Sequence, residues 1–246
     1  MTLAAKALTQ SPAQRLGTLQ RVLGWLALPA VVFALYMALV WAPEERTLGI
    51  VQRIFYFHVG SAWNAYLAFF IVFVTSIAYL VRRREALDAM AVSAAEVGIM
   101  FTVLTLVTGS FWARAVWNVW WTWEPRLTTT VILLFMYIAY LLIRAATEGV
   151  DKRGRLASIF GIVAFANVPL VHFSATWWRG MHPTVIQLDG PTPRLEMDSR
   201  MVVAMLVALA ALTLVNAYLF VHRLRLEHMT REVNALKEKA RLEVDN

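Results

Sequence analysis

Two of the five histidines in this chain stand where an imidazole could bind a metal. His58 lies in Phe55-Tyr-Phe57-His58-Val-Gly-Ser-Ala-Trp63, just before a long apolar run. His182 lies in Trp177-Trp178-Arg179-Gly-Met-His182-Pro, just after another. The remaining three read differently. His222 and His228 fall in a charged C-terminal stretch and read as surface residues. His172, in Asn167-Val-Pro169-Leu-Val-His172, sits inside an apolar run; packing or a hydrogen bond is its first reading and a ligand role its second. The chain has no cysteine, which removes disulfides, zinc–thiolate and iron–sulfur centres, thiol nucleophiles and thioether attachment of a cofactor.

Tryptophan is the second unusual feature. Five of the ten lie in Trp112-Ala-Arg-Ala-Val-Trp117-Asn-Val-Trp120-Trp121-Thr-Trp123-Glu124-Pro-Arg126. If 113–123 forms a short helix ended by Pro125, then Trp117, Trp120, Trp121 and Glu124 share one face, with Arg114 one turn earlier. Such a shelf suits a large planar ligand with acidic groups, because rings stack and guanidinium pairs with carboxylate. An interfacial helix lying on lipid gives the same spacing. Histidine discriminates between these. Two imidazoles at one depth beside a stacking surface are what a six-coordinate haem requires, one on each side of the iron. Placement in exposed loops, rather than within spanning helices as in an electron-carrying cytochrome b, suits a haem that is loaded and surrendered.

These loops are held by an all-α membrane body. The chain is 59% hydrophobic with 16% charged residues and a mean hydropathy of +0.58. A single soluble core cannot hide that much apolar surface. Six stretches, 22–41, 61–81, 89–111, 127–143, 156–176 and 201–221, have about the ~20 residues a spanning helix needs. The first reads as a retained span, since the residues before it lack a signal-peptide pattern. Of the 23 Lys and Arg, 16 fall on the side of the termini and seven (Arg46, Arg53, Arg114, Arg126, Arg179, Arg194 and Arg200) on the other. The positive-inside rule therefore places both termini in the cytoplasm and loops 42–60, 112–126 and 177–200 outside. The basic balance, net +7, then lies beside anionic lipid and not nucleic acid. Residues 1–222 read as one membrane domain and 223–246 as a charged helical tail. In that tail Leu226, Met229, Val233, Leu236 and Ala240 recur at coiled-coil spacing, and Glu227–Arg231 and Lys239–Glu243 form i,i+4 pairs. It is a solvated extension of the last span or a docking helix.

Other polar residues carry less. Glu96 in the third span is a pathway residue or lies near the inner surface. Asn64 and Asn167 read as cross-links between helices. No phosphate loop and no catalytic array is present, so the chain reads as a binding and delivery subunit, not an enzyme.

The segment from Trp117 to Arg126 resembles the tryptophan-rich WWD signature of haem-handling membrane proteins. Six spans, His-Val-x-Ser-Ala at 58–62 and Trp-Trp-Arg-x-x-His at 177–182 narrow the resemblance to the haem exporter protein C (CcmC) family of cytochrome c maturation. It covers roughly residues 20–222. Asn118 stands where glycine is usual, Glu124 replaces the aspartate, and Gly60 stands where proline is common. The resemblance implies a multi-pass protein of the bacterial cytoplasmic membrane that holds haem b non-covalently and transiently at its outer, periplasmic face. His58 and His182 would be axial ligands to the iron. Trp112, Trp117, Trp120, Trp121, Trp123, Glu124 and Arg126 would form the platform, and Arg53 and Arg114 are weaker candidates for propionate or partner contacts. It further implies delivery to a membrane-anchored haem chaperone (CcmE-like), with an ABC transporter ATPase and its membrane subunit (CcmA- and CcmB-like) and a small single-span subunit (CcmD-like). Two other readings compete: a b-type cytochrome with ligands such as His172, which would retain its haem, and a permease or scaffold whose tryptophans only mark the interface.

Overall fold

A computed structural model describes residues 12–178, 182, 186–187, 194–195 and 197–244; Lys6 and Arg179, both counted in the charge balance, lie outside them. The described elements are α1 (Pro12–Tyr36, continued by a π turn, Met37–Trp41), a 3-10 turn (Ile50–Gln52), α2 (Arg53–Arg82), α3 (Glu85–Trp117), α4 (Pro125–Ala146), α5 (Val150–Phe165), α6 (Asn167–Trp177), the short strands β1 (Ile186–Gln187) and β2 (Arg194–Leu195), and α7 (Ser199–Val244). The two strands pair antiparallel. Six helical segments are long and apolar enough to cross a membrane: Gln14–Trp41, Ile50–Arg82, Glu85–Trp117, Pro125–Ala146, Val150–Trp177 and Ser199–Glu243. Each contains one of the stretches expected from hydropathy. The start of α1 and the basic C-terminal part of α7 lie toward an arginine-rich end, and the tryptophan-rich segment lies at the other.

Local chemistry sets the boundaries. Arg83 takes a left-handed conformation that ends α2, and its N–H bonds the Tyr79 carbonyl. Glu85 and Asp88 place negative charge in the first turn of α3. Pro125 occupies the first turn of α4, where its missing N–H costs nothing. Before α2, the Glu45 carboxylate accepts the Leu48 and Thr47 N–H groups at 2.5 and 2.7 Å. Those bonds hold the Glu45 carboxyl below the ordinary carboxylate range.

Packing relies on small residues that let helices approach closely. Ala91, Ala94, Ala95 and Gly98 of α3 belong with α2, where the Phe69 ring lies on Gly98. Gly154 admits the Tyr79 ring, and Phe69 stacks on Tyr137 with centroids 3.6 Å apart. The Asn167 amide donates to the Thr129 carbonyl at 2.9 Å and ties the fifth span to the fourth, as expected. Asn64 differs: its side chain bonds the Gly60 carbonyl of its own helix at 2.8 Å. The cross-link there is made by Asn216, which donates to the Asn64 carbonyl at 3.0 Å.

The fifth span is broken. Pro169 lacks an N–H and its ring crowds the carbonyl of Phe165, so α5 ends and α6 sets off afresh. Helix α5 packs on α2 and α4, whereas α6 keeps to α4 and draws away from α2. Phe165, at the end of α5, stacks on Phe73 of α2 at 4.6 Å.

Helix α7 runs through 222–223 without interruption and stays against the body as far as Arg231, beyond which it is exposed. Glu96 pairs with Arg223 of this helix, an interhelical contact that its sequence context does not reveal. Arg231 pairs with Glu227 as expected, at 2.8 Å, and also reaches Asp88 at 2.7 Å. Asp88, 3% exposed, is held by Arg144 in a two-pronged contact of 2.5 and 2.8 Å. Removing one partner of a buried pair strands the other charge. Arg144→Leu is therefore expected to cost about 3 kcal/mol, the low end of that effect because Arg231 still faces Asp88. Equilibrium unfolding in detergent checks this, and Arg231→Leu should cost less.

Candidate functional site

A cavity of about 440 Å3 opens at the tryptophan-rich end between α2, α3, α4 and α6. His58 enters it from the second turn of α2. That placement corrects the loop position read from sequence: the helix begins at Arg53, and His58 is only 7% exposed. His182 enters from the segment after α6 and is half-buried. The two residues are far apart in the chain, yet their ring centroids lie 6.2 Å apart with planes inclined by 42°. Two imidazoles bound on opposite sides of one metal, with metal–nitrogen distances of about 2 Å, place their centroids roughly 6 Å apart. The residues present therefore fit a bis-imidazole haem.

Hydrogen bonds prepare both rings. The Thr108 hydroxyl donates to the Leu104 carbonyl at 2.7 Å, so its oxygen is left to accept the Nδ1–H of His58 at 3.1 Å. The Glu124 carboxylate accepts the Nδ1–H of His182 at 3.2 Å. In both cases Nε2 keeps its lone pair for a metal. Gly109 makes room on the other side of His58: a Cβ there would come within 2.9 Å of the ring carbon Cε1. Gly109→Val is expected to turn the His58 ring away, lower haem occupancy at least tenfold, and cost about 1–3 kcal/mol by overpacking. Absorbance and thermal unfolding of the same sample separate the two effects.

The tryptophans divide. Trp112 is 3% exposed and packs 6.1 Å from His58 and 6.4 Å from His182, centroid to centroid. Trp117, Trp121, Glu124 and Arg126 also line the cavity. Trp120 and Trp123 do not; they are 54% and 76% exposed. The expected helix over 113–123 is not formed. Helix α3 runs on through Trp117 and stops at Asn118, whose φ of 59° is left-handed, and residues up to Glu124 are irregular. Trp117, Trp120, Trp121 and Glu124 thus do not share one helical face. Positive φ is also the physical reason a glycine suits position 118, and asparagine is the residue that best tolerates its loss. Arg114 lies outside the lining, donating to the Asn118 carbonyl at 2.7 Å and lying 5.9 Å from the Trp120 ring centre. Arg53, at the start of α2, is likewise outside it. Arg126 lines the cavity and donates to the His172 carbonyl at 2.7 Å, joining α4 to α6.

Sequence reasoning missed several lining residues, among them Phe55, Trp63, Tyr66, Phe173 and Gly109, and gave His172 no place near the other two histidines. Their helical spacing is that of ordinary lipid-facing or core residues, so only the assembled bundle reveals them.

Comparison with known proteins shows the family. Residues 4–239 match the family described as heme exporter protein C (CcmC). A heme exporter protein C of Bradyrhizobium diazoefficiens is 31% identical over 232 residues, covering 92% of this chain and 86% of that one. The heme exporter protein C of Rhodobacter capsulatus is 28% identical, covering 94% and 97%. A putative cytochrome c biosynthesis ccmC-like mitochondrial protein of Marchantia polymorpha is 33% identical, covering 67% and 70%.

Proposed function

The chain belongs to the heme exporter protein C family of cytochrome c biogenesis, and from that premise we propose that it holds haem b transiently between His58 and His182 and surrenders it to a membrane-anchored haem chaperone. It is a handling subunit and not a catalyst. The observation that carries the reading is the 6.2 Å separation of the two imidazoles inside one aromatic cavity. Both rings would bind iron through Nε2. Trp112, Trp117 and Trp121 would exclude water and lie against the porphyrin, and Arg126 is the cation within the lining suited to a propionate. The exposed Trp120 and Trp123 would face the chaperone rather than the haem.

Lys and Arg are concentrated at the end opposite this cavity. That bias supports a cytoplasmic position for the termini and a periplasmic position for the site. Membership of this family supports an assembly in which energy for release would come from an ABC ATPase and its membrane subunit, with a small single-span subunit completing the complex. Transfer is testable directly. Haem-loaded protein in vesicles is mixed with a membrane-anchored partner bearing an exposed histidine, and the two are separated by affinity tag. Haem recovered with the partner is the expected result. Haem retained by this chain and reduced rapidly by a quinol would instead mark an electron carrier.

A further inference from the structure

The cavity is not closed on its lipid side. Helix α6 is not extensively packed on α2 after the break at Ala166, where Phe165 stacks on Phe73 with Phe70 beside it at 6.0 Å. Above that aromatic floor α6 packs chiefly on α4 and has no extensive contact with α2. The side chains lining the cavity there are uncovered by protein: Trp63 is 56% exposed and Phe173 45% exposed, and His172 and Thr176 are exposed too. The opposite face of α6, carrying Val171, Ser174 and Ala175, is buried. Trp63 and Phe173 at this opening are large apolar side chains on candidate membrane spans, so the opening would face the bilayer.

His172 stands at this gap. It lies five residues before the end of α6, roughly 8 Å below it at about 1.5 Å per residue. Its carbonyl is fixed by Arg126, and its ring meets Phe173 edge-on at 4.9 Å. Among the described residues its imidazole has no hydrogen-bond partner. An imidazole at membrane depth with no polar partner, lining a cavity that holds two further imidazoles, has no packing role that an aliphatic residue would not fill better. From this geometry, and resting on the haem reading above, we infer that His172 is a loading ligand. It binds the iron of a haem arriving sideways from the bilayer through the α2–α6 gap. The His172–iron bond then breaks as His58 and His182 take the metal, with no change of oxidation state. The ligand is a planar amphiphile whose ring system travels in the hydrocarbon and whose carboxylates meet Arg126 at the cavity.

Four variants reconstituted in vesicles carrying haemin in the bilayer test this. His58→Ala/His182→Ala should retain a fraction of haem with a high-spin, single-imidazole spectrum, and the further change His172→Ala should remove it. With the pair intact, His172→Ala and His172→Gln should reach the same final low-spin spectrum as the parent but load from the vesicle about tenfold more slowly. A double variant that binds no haem, a triple variant that binds as much as the double, or unchanged loading would overturn the inference. Failure of the underlying haem reading is separately visible, as an unaltered parental spectrum in the double variant.

Discussion

Replacing either His58 or His182 by alanine is expected to lower haem affinity more than about 100-fold. Groups that only orient a metal ligand are worth about 10–100-fold, so the ligand itself is worth more. The two losses should not be equal in character. His58 sits in a helix, is 7% exposed, and is boxed by Trp112, Gly109 and Thr108. Its removal leaves a walled void of imidazole shape, and added imidazole should enter that void and restore a low-spin spectrum. His182 sits in a connecting segment, and its removal also strands the buried Glu124 carboxylate to which it was bonded. Imidazole should restore that variant less well. Titration of the purified variants with haemin, with and without imidazole, measures both effects. Unchanged affinity in either variant would remove that residue from the iron.

The second large effect is expected at Glu124. Its carboxylate oxygen accepts the His182 Nδ1–H at 3.2 Å, and the pair is largely enclosed, with side-chain exposures of 8% and 14%. An ionised acceptor raises the basicity of the ring and holds Nε2 toward the cavity. Glu124→Gln keeps size and an acceptor oxygen but removes the charge. It also introduces an amide that can present N–H to the ring. Haem affinity should fall about 10–100-fold, with the low-spin spectrum preserved in what remains bound. Glu124→Asp should retain affinity better than Glu124→Gln, since charge matters more here than one methylene. Equal behaviour of the two would show that the carboxylate acts by shape alone.

Why Glu124 could be singled out from sequence, and Thr108 and Gly109 could not, is a matter of distance along the chain. The spans were legible because twenty apolar residues in a row have few homes other than a bilayer. His58, His182 and the tryptophans stood out because such residues are scarce and crowd together in short stretches. Thr108 and Gly109 lie in a run of apolar and small residues typical of any spanning helix; only the approach of α2, fifty residues earlier, gives them a task. The tryptophan segment departs from the helix that its spacing predicts for a local reason. Helix spacing over 113–123 looks continuous, but a left-handed residue at Asn118 ends the helix, and that conformation is not encoded by periodicity. The result is that Trp117 and Trp121 turn to the cavity while Trp120 and Trp123 face out. The Asp88–Arg144–Arg231 cluster was hidden for a similar reason, its members being spread over three helices and joined only by packing.

The most direct measurement is the electron paramagnetic resonance spectrum of the ferric, haem-loaded parent protein beside its two single alanine variants. Two imidazoles on one iron predict a low-spin signal in the parent and conversion to high spin in each variant. A parent spectrum that is high-spin, or one that survives loss of either histidine, would contradict the account.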